Sequence, residues 1–237
     1  MFVLHYGDPN IQVYKHNADD MTIQRYVNVP SSTNTFRGLA ACEFNQCLYV
    51  SEESISVIHK VSPVTNNTVK QWSVNGQPFG VSVNRYHNVL VACYYTHKVQ
   101  EYTTDGALVR DINLQPDITC PAHVVQLQGD EVGITHHGSV HRYCVVGSDG
   151  KIVKSVGGGQ MSTPYGFAVS KDASKVFVAN CGQNRISLLN SNSLSIEQLP
   201  AAFNISFSQP YCIYFDARAG VMYVGESSGG RILCFKK

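Results

Sequence analysis

A three-part phrase recurs through this chain at a period in the forties, and it constrains the fold more than any other feature. It opens with Pro-aromatic and a short apolar run: Pro78-Phe79-Gly80-Val81, Pro164-Tyr165-Gly166-Phe167 and Pro210-Tyr211-Cys212-Ile213. A hydrophobic run ending in a distinct residue follows, as in Leu48–Glu52, Val89–Cys93, Val176–Asn180 and Met222–Glu226. A basic residue ahead of alternating apolar positions closes the phrase at Lys98, Arg185 and Arg231. Several short strands per unit at such a period describe an all-β propeller built of antiparallel blades.

The repeats run over about 1–30, 37–74, 79–114, 122–157, 165–199 and 211–237, so the 237 residues read as one propeller domain of six blades. Within a repeat the strands are a, b, c and d from the inside outward. The first repeat shows b, c and d without a, and the last shows a, b and c without d, leaving both end blades incomplete. Thr104-Asp105-Gly106 and Ser148-Asp149-Gly150 mark c–d hairpins, because glycine accepts the positive φ such turns need.

Charged residues make up 15% of the chain, below the roughly 25% usual in globular domains, and the formal net charge is +1. No global field therefore draws the protein to nucleic acid or to an anionic membrane. No stretch approaches the ~20 apolar residues of a membrane helix. Met1–Asp8 lacks the basic start and apolar core of a secretory signal. The eight cysteines fall mostly singly in apolar runs, where a reduced thiol packs as a small hydrophobe. Cys42 and Cys47, flanking a four-residue turn, are the one candidate bridge. The reading is a cytoplasmic, reduced protein, or a secreted one if an N-terminal segment has been removed. Asn66-Asn67-Thr68 and Asn204-Ile205-Ser206 fit the glycosylation triplet, which matters only outside the cell.

The phrase aromatic-Gly-Val-x-Val, then Val-x-Val-Ala-Asn, then Asn184-Arg185-Ile186 resembles the NHL repeat, and the similarity covers nearly the whole chain. The resemblance implies a six-bladed propeller of NHL type, as in tripartite-motif proteins and stand-alone relatives. In such repeats an acidic residue after strand b pairs with the arginine opening strand c. Glu226 and Arg231 keep that spacing; Asn180 with Arg185 and Cys93 with Lys98 depart from it.

Alignment puts Tyr6, Glu52, Cys93, His136, Asn180 and Glu226 at one position, and Arg37, Phe79, Ala122, Tyr165 and Tyr211 at another. The b–c and d–a loops then offer Arg37, Phe79, Tyr94, Tyr95, His97, His136, Tyr165 and Tyr211 as ligand contacts, alongside their possible use in packing the repeat. Aromatic faces among neutral hydrogen-bonding groups suit a protein, peptide or glycan. Non-enzymatic recognition is the resulting function, with no cofactor, no catalytic residue and no metal ligand assigned.

Two alternatives remain. One is a metal-dependent enzyme, lyase- or lactonase-like, since His123, His136, His137 and His141 crowd repeat four and related propellers include a zinc-dependent lyase. The other is single-stranded RNA binding, for which Arg37, Lys98, Arg185 and Arg231 would be the phosphate contacts; no track of six or more basic residues is visible.

Overall fold

Each repeat of the sequence becomes one small antiparallel sheet in the computed structural model, which describes residues 1–16, 21–65, 67–170, 172–199, 205–216, 219–228 and 230–236. Both asparagines of the glycosylation triplets, Asn66 and Asn204, lie outside the described residues. By contacts the chain forms two compact units, Met1–Leu114 with Val124–Gln128, and Gln115–His123 with Gly129–Lys237.

The first unit holds three sheets. A three-stranded one comprises β1 (Phe2–Val3), β2 (Asn10–His16) and β3 (Met21–Asn28). Next comes β4 (Phe36–Cys42), β5 (Cys47–Glu52), β6 (Val57–Ser62) and β7 (Asn67–Ser73), then β8 (Pro78–Val83), β9 (Val89–Cys93), β10 (Lys98–Tyr102) and β11 (Leu108–Asn113). The fourth sheet is β12 (Pro121–Gln126), β13 (Val132–His136), β14 (Arg142–Val146) and β15 (Ile152–Val156). In the second unit it is followed by β16 (Pro164–Val169), β17 (Lys175–Asn180), β18 (Arg185–Asn190) and β19 (Ile196–Glu197). A three-stranded sheet of β20 (Pro210–Asp216), β21 (Val221–Glu226) and β22 (Ile232–Lys236) ends the chain. Six sheets with three-stranded ends match the repeat count. The described residues contain one 3-10 turn, Cys181–Gln183, and no helix long and apolar enough to cross a membrane.

Burial explains the composition of each strand. Sheets that bury both faces need continuous apolar runs, and β5, β9 and β13 are buried along their whole length. Outer strands face water, so β11 and β15 are mostly exposed, with Leu108, Val109 and Val153 among the exposed positions beside Asp111, Lys154 and Ser155. Apolar clusters fill the spaces between sheets. One joins Tyr49, Ile58 and Trp72 to Val81 and Val91, and another joins Ile11 and Val27 to Phe36 and Leu48. In the second unit Ala179 and Ile186 pack on Ile213, Met222 and Phe235.

Inner strands approach so closely that a side chain at the repeat's glycine is excluded by the next strand. A Cβ on Gly38 would lie 2.6 Å from the Phe79 carbonyl oxygen, and one on Gly166 would lie 2.9 Å from Cys212 Cα. The penultimate residue of strand b ties the same strands together. Ser51 Oγ donates to the Phe79 carbonyl at 2.5 Å and accepts from Gly38 N at 2.8 Å, while Thr135 Oγ1 donates to the Tyr165 carbonyl at 2.5 Å. Cys42 and Cys47 do face each other as paired residues of β4 and β5, yet both are free thiols, and Cys42 Sγ accepts from Asn45 Nδ2 at 3.3 Å.

Candidate functional site

The last residue of strand b, aligned by sequence as one ring of candidate contacts, is a buried latch in the described repeats. Glu52 is fully buried, accepts from the hydroxyls of Ser31 and Thr33, and meets His59 Nε2 at 2.8 Å. Burial alone would raise its carboxyl, but those two hydroxyls and the imidazole hold it below the usual carboxylate value. Asn180 Oδ1 accepts from Ser162 N at 2.9 Å, and its Nδ2 donates to Ser187 Oγ at 3.0 Å. Glu226 accepts from Ser208 N at 2.7 Å and from Arg231 Nε at 2.8 Å, so the acidic–arginine pair is present where the spacing was kept. In each case the side chain pins the loop that leads into strand a. Tyr6 differs: it lies outside any strand and is 64% exposed.

His136 is buried like the latches and lies on no surface. It is 0% exposed at the end of β13, and neither ring nitrogen has a hydrogen-bond partner among the described residues. Burial, helped by the Arg142 charge, pushes its pKa down to about 4. A residue so enclosed makes no contact with a ligand on the loops. His123 stands at the repeat's glycine position, edge-on to Phe167 at 5.1 Å, and burial pushes it down to about 4 as well. No group of three or more His, Cys, Asp or Glu side chains among the described residues is arranged to hold a metal ion.

Five of the remaining candidates converge in the first unit. The Arg37 guanidinium lies 4.6 Å from the Tyr6 ring centre and 4.9 Å from that of Phe79, with Nε held by Glu53 at 2.6 Å. Phe79 stacks on Tyr94 at 5.0 Å, and Tyr94 meets Tyr95 edge-on at 4.9 Å. The outcome is a continuous ledge of ring, cation, ring, ring and ring. Its two ends, Tyr6 at 64% and Tyr95 at 59%, are exposed, whereas Phe79 is buried. His97 shapes the ledge. It takes φ +53 just before β10, and its Nδ1 lies 3.1 Å from the Tyr94 carbonyl oxygen. Ser56, Asn184 and Gly230 take the same left-handed conformation before their c strands, with Gly230 one residue further from the strand assigned. This b–c loop conformation thus recurs in four of the sheets.

Tyr165 and Tyr211 form a second cluster, in the other unit, with ring centres 4.2 Å apart. His137 sits edge-on to Tyr165 at 4.4 Å and its Nε2 donates to the Pro164 carbonyl at 2.8 Å. Sequence alignment had placed Tyr6 in the wrong ring and left His137 between rings.

The charges on the loops are largely matched. Besides Arg37 with Glu53, Lys98 pairs with Asp111 at 3.2 Å, Arg231 with Glu226, and Arg185 Nη2 donates to the Gln160 carbonyl at 3.1 Å. The four basic residues offered by the sequence for phosphate contacts are all engaged within the chain.

No protein-family model matches the chain, and no curated protein is similar to it in sequence. Solved structures do share its architecture. A Bacteroides caccae protein of unknown function superposes with a TM-score of 0.75 at 14% identity, covering 94% of this chain and 81% of its own. Kuenenia stuttgartiensis hydrazine synthase gives 0.71 at 12% identity over 100% and 92% of the two chains. Virginiamycin B lyase from Staphylococcus aureus gives 0.68 at 13% identity over 100% and 80%. At such identities the likeness speaks for the fold alone, and that fold is a six-bladed β-propeller.

Proposed function

We propose that this protein is a recognition propeller that binds an uncharged stretch of peptide or glycan along the Tyr6–Arg37–Phe79–Tyr94–Tyr95 ledge. The observation that carries the reading is the ledge itself: five side chains in unbroken contact, exposed at both ends, with Arg37 and Phe79 held on strands β4 and β8 and the tyrosines on loops. A core motif alone would give buried rings, as at Phe79. Exposed tyrosines on pre-set loops instead provide contact area at low entropic cost, the usual economy of binding surfaces. Because Glu53 offsets Arg37, the ring faces dominate recognition, which favours a neutral ligand over a polyphosphate. The NHL-like character of the repeat is supported by the Glu226–Arg231 pair, and a reducing compartment by the free thiols at Cys42 and Cys47.

The test is a screen of the purified chain against immobilised glycan and unmodified peptide libraries at two salt concentrations. Hits that persist with little change as salt rises support the reading. A response confined to single-stranded RNA, falling steeply with salt, would replace it with nucleic-acid recognition.

A further inference from the structure

The fourth sheet carries a depression that the aromatic ledge does not use. Ser139, Val140, His141, Gly158, Gly159 and Met161 line it, on the b–c loop and on the loop after β15, and it is open to solvent with a volume of about 420 Å³. That volume lies within the range of small-molecule sites. Met161 and Val140 give it an apolar wall.

Its polar groups include several donors. Thr163 N donates to His141 Nδ1 at 2.8 Å, so that nitrogen carries the lone pair and the neutral ring holds its proton on Nε2. No described residue accepts from Nε2, from the Ser139 hydroxyl, or from the backbone N–H of Gly158 or Gly159. The Gly157 carbonyl is taken instead by Gln160 N at 2.7 Å and Met161 N at 3.0 Å, which folds the loop so that Gly158 and Gly159 form its tip. Gly159 takes φ +80, and successive N–H groups around a left-handed residue make an anion-binding concavity. No carboxylate lines the depression, and Asp117 is already held by Arg142 at 2.6 Å.

We propose that this depression binds a carboxylate bearing a compact apolar substituent, the chemistry of a free peptide C-terminus or of a small acyl amino acid. A carboxylate can accept from His141 Nε2–H, the Ser139 hydroxyl and the Gly158 and Gly159 N–H groups, while the apolar group lies on Met161 and Val140. The site shares no residue with the Tyr6–Tyr95 ledge, so either assignment can fail while the other stands.

The experiment is an amide-resolved NMR titration of the full chain to millimolar concentration with N-acetyl-leucine, N-acetyl-leucinamide, acetate and a pentapeptide ending in leucine. N-acetyl-leucine should shift the Gly158 and Gly159 signals saturably, with the amide and acetate at least about tenfold weaker. A tighter pentapeptide assigns the natural ligand to a peptide terminus, and equal affinity assigns it to the free acid. His141→Asn keeps an acceptor for Thr163 N but loses the Nε2–H, and should weaken binding about five- to tenfold without lowering Tm. Gly158→Leu, at a position where a Cβ meets only Val140 at 3.7 Å, should fill the depression and abolish binding. Absence of saturable shifts at Gly158 and Gly159 would overturn the proposal. So would equal binding of the acid and its amide, or binding by a folded Gly158→Leu variant that matches wild type.

Discussion

Side chains that close the loops carry much of the account at the residue scale. Glu226→Ala would strip Ser208 N and the Arg231 guanidinium of their acceptor. Since the Arg231 side chain is 54% exposed, little of the ion pair counts, and the cost is chiefly the half-buried Ser208 N–H left unpaired. Urea denaturation should find a loss of about 1–3 kcal/mol. A second expectation concerns acid. His123, His136 and His137 fall to about 4 in the fold, chiefly by burial, against 6.5 for an ordinary imidazole. Between those values the unfolded chain binds protons that the folded one refuses, so stability declines as pH drops below about 6.5 and this contribution is exhausted near 4. Glu52 and Glu101, both held below 4.5 by their partners, extend the decline further into acid. Thermal unfolding between pH 8 and 3.5 should show a Tm flat above pH 7 and falling below 6.5; a Tm that rises on acidification would show that these histidines gain protons on folding.

At the scale of strands and sheets, the packing of inner strand against inner strand is the least forgiving feature. Gly166→Ala brings a methyl to 2.9 Å from Cys212 Cα and 3.0 Å from the Tyr211 carbonyl oxygen, both backbone atoms that cannot step aside. Overpacking of this kind costs about 1–3 kcal/mol, and Gly38→Ala should match it, whereas Gly158→Ala should leave Tm unchanged. Equal melting of all three variants would mean that the glycines serve something other than strand approach. Strands and turns were legible in the sequence because two-sided burial writes continuous apolar runs, and Gly106 and Gly150 take the positive φ of +81 and +80 that Asp-Gly implied. The site was legible only in part. Alignment offered Arg37, Phe79, Tyr94, Tyr95 and His97 as candidates, since a repeat fixes where loops fall. It could not tell that His136 turns inward, or that Tyr6 completes the ledge across Arg37, because both depend on packing between repeats.

For the molecule as a whole, a six-bladed propeller is a fold on which unrelated activities occur. The proposed function therefore needs a test at the ledge that is independent of the fold. Tyr95 is the position that separates the two: its ring touches Tyr94, is 59% exposed, and belongs to no apolar cluster among the described residues. Tyr165→Ala, by contrast, removes a ring packed on both Tyr211 and His137 and should lower Tm. The most direct test is calorimetric titration of the best glycan or peptide from the library screen into wild type and Tyr95→Ala. An aromatic ring stacked on a ligand contributes roughly 1–3 kcal/mol, so affinity should drop by about fivefold to over a hundredfold while Tm stays within a degree or so of wild type. Equal affinity of the two proteins for that ligand would contradict the assignment of the ledge as the binding surface.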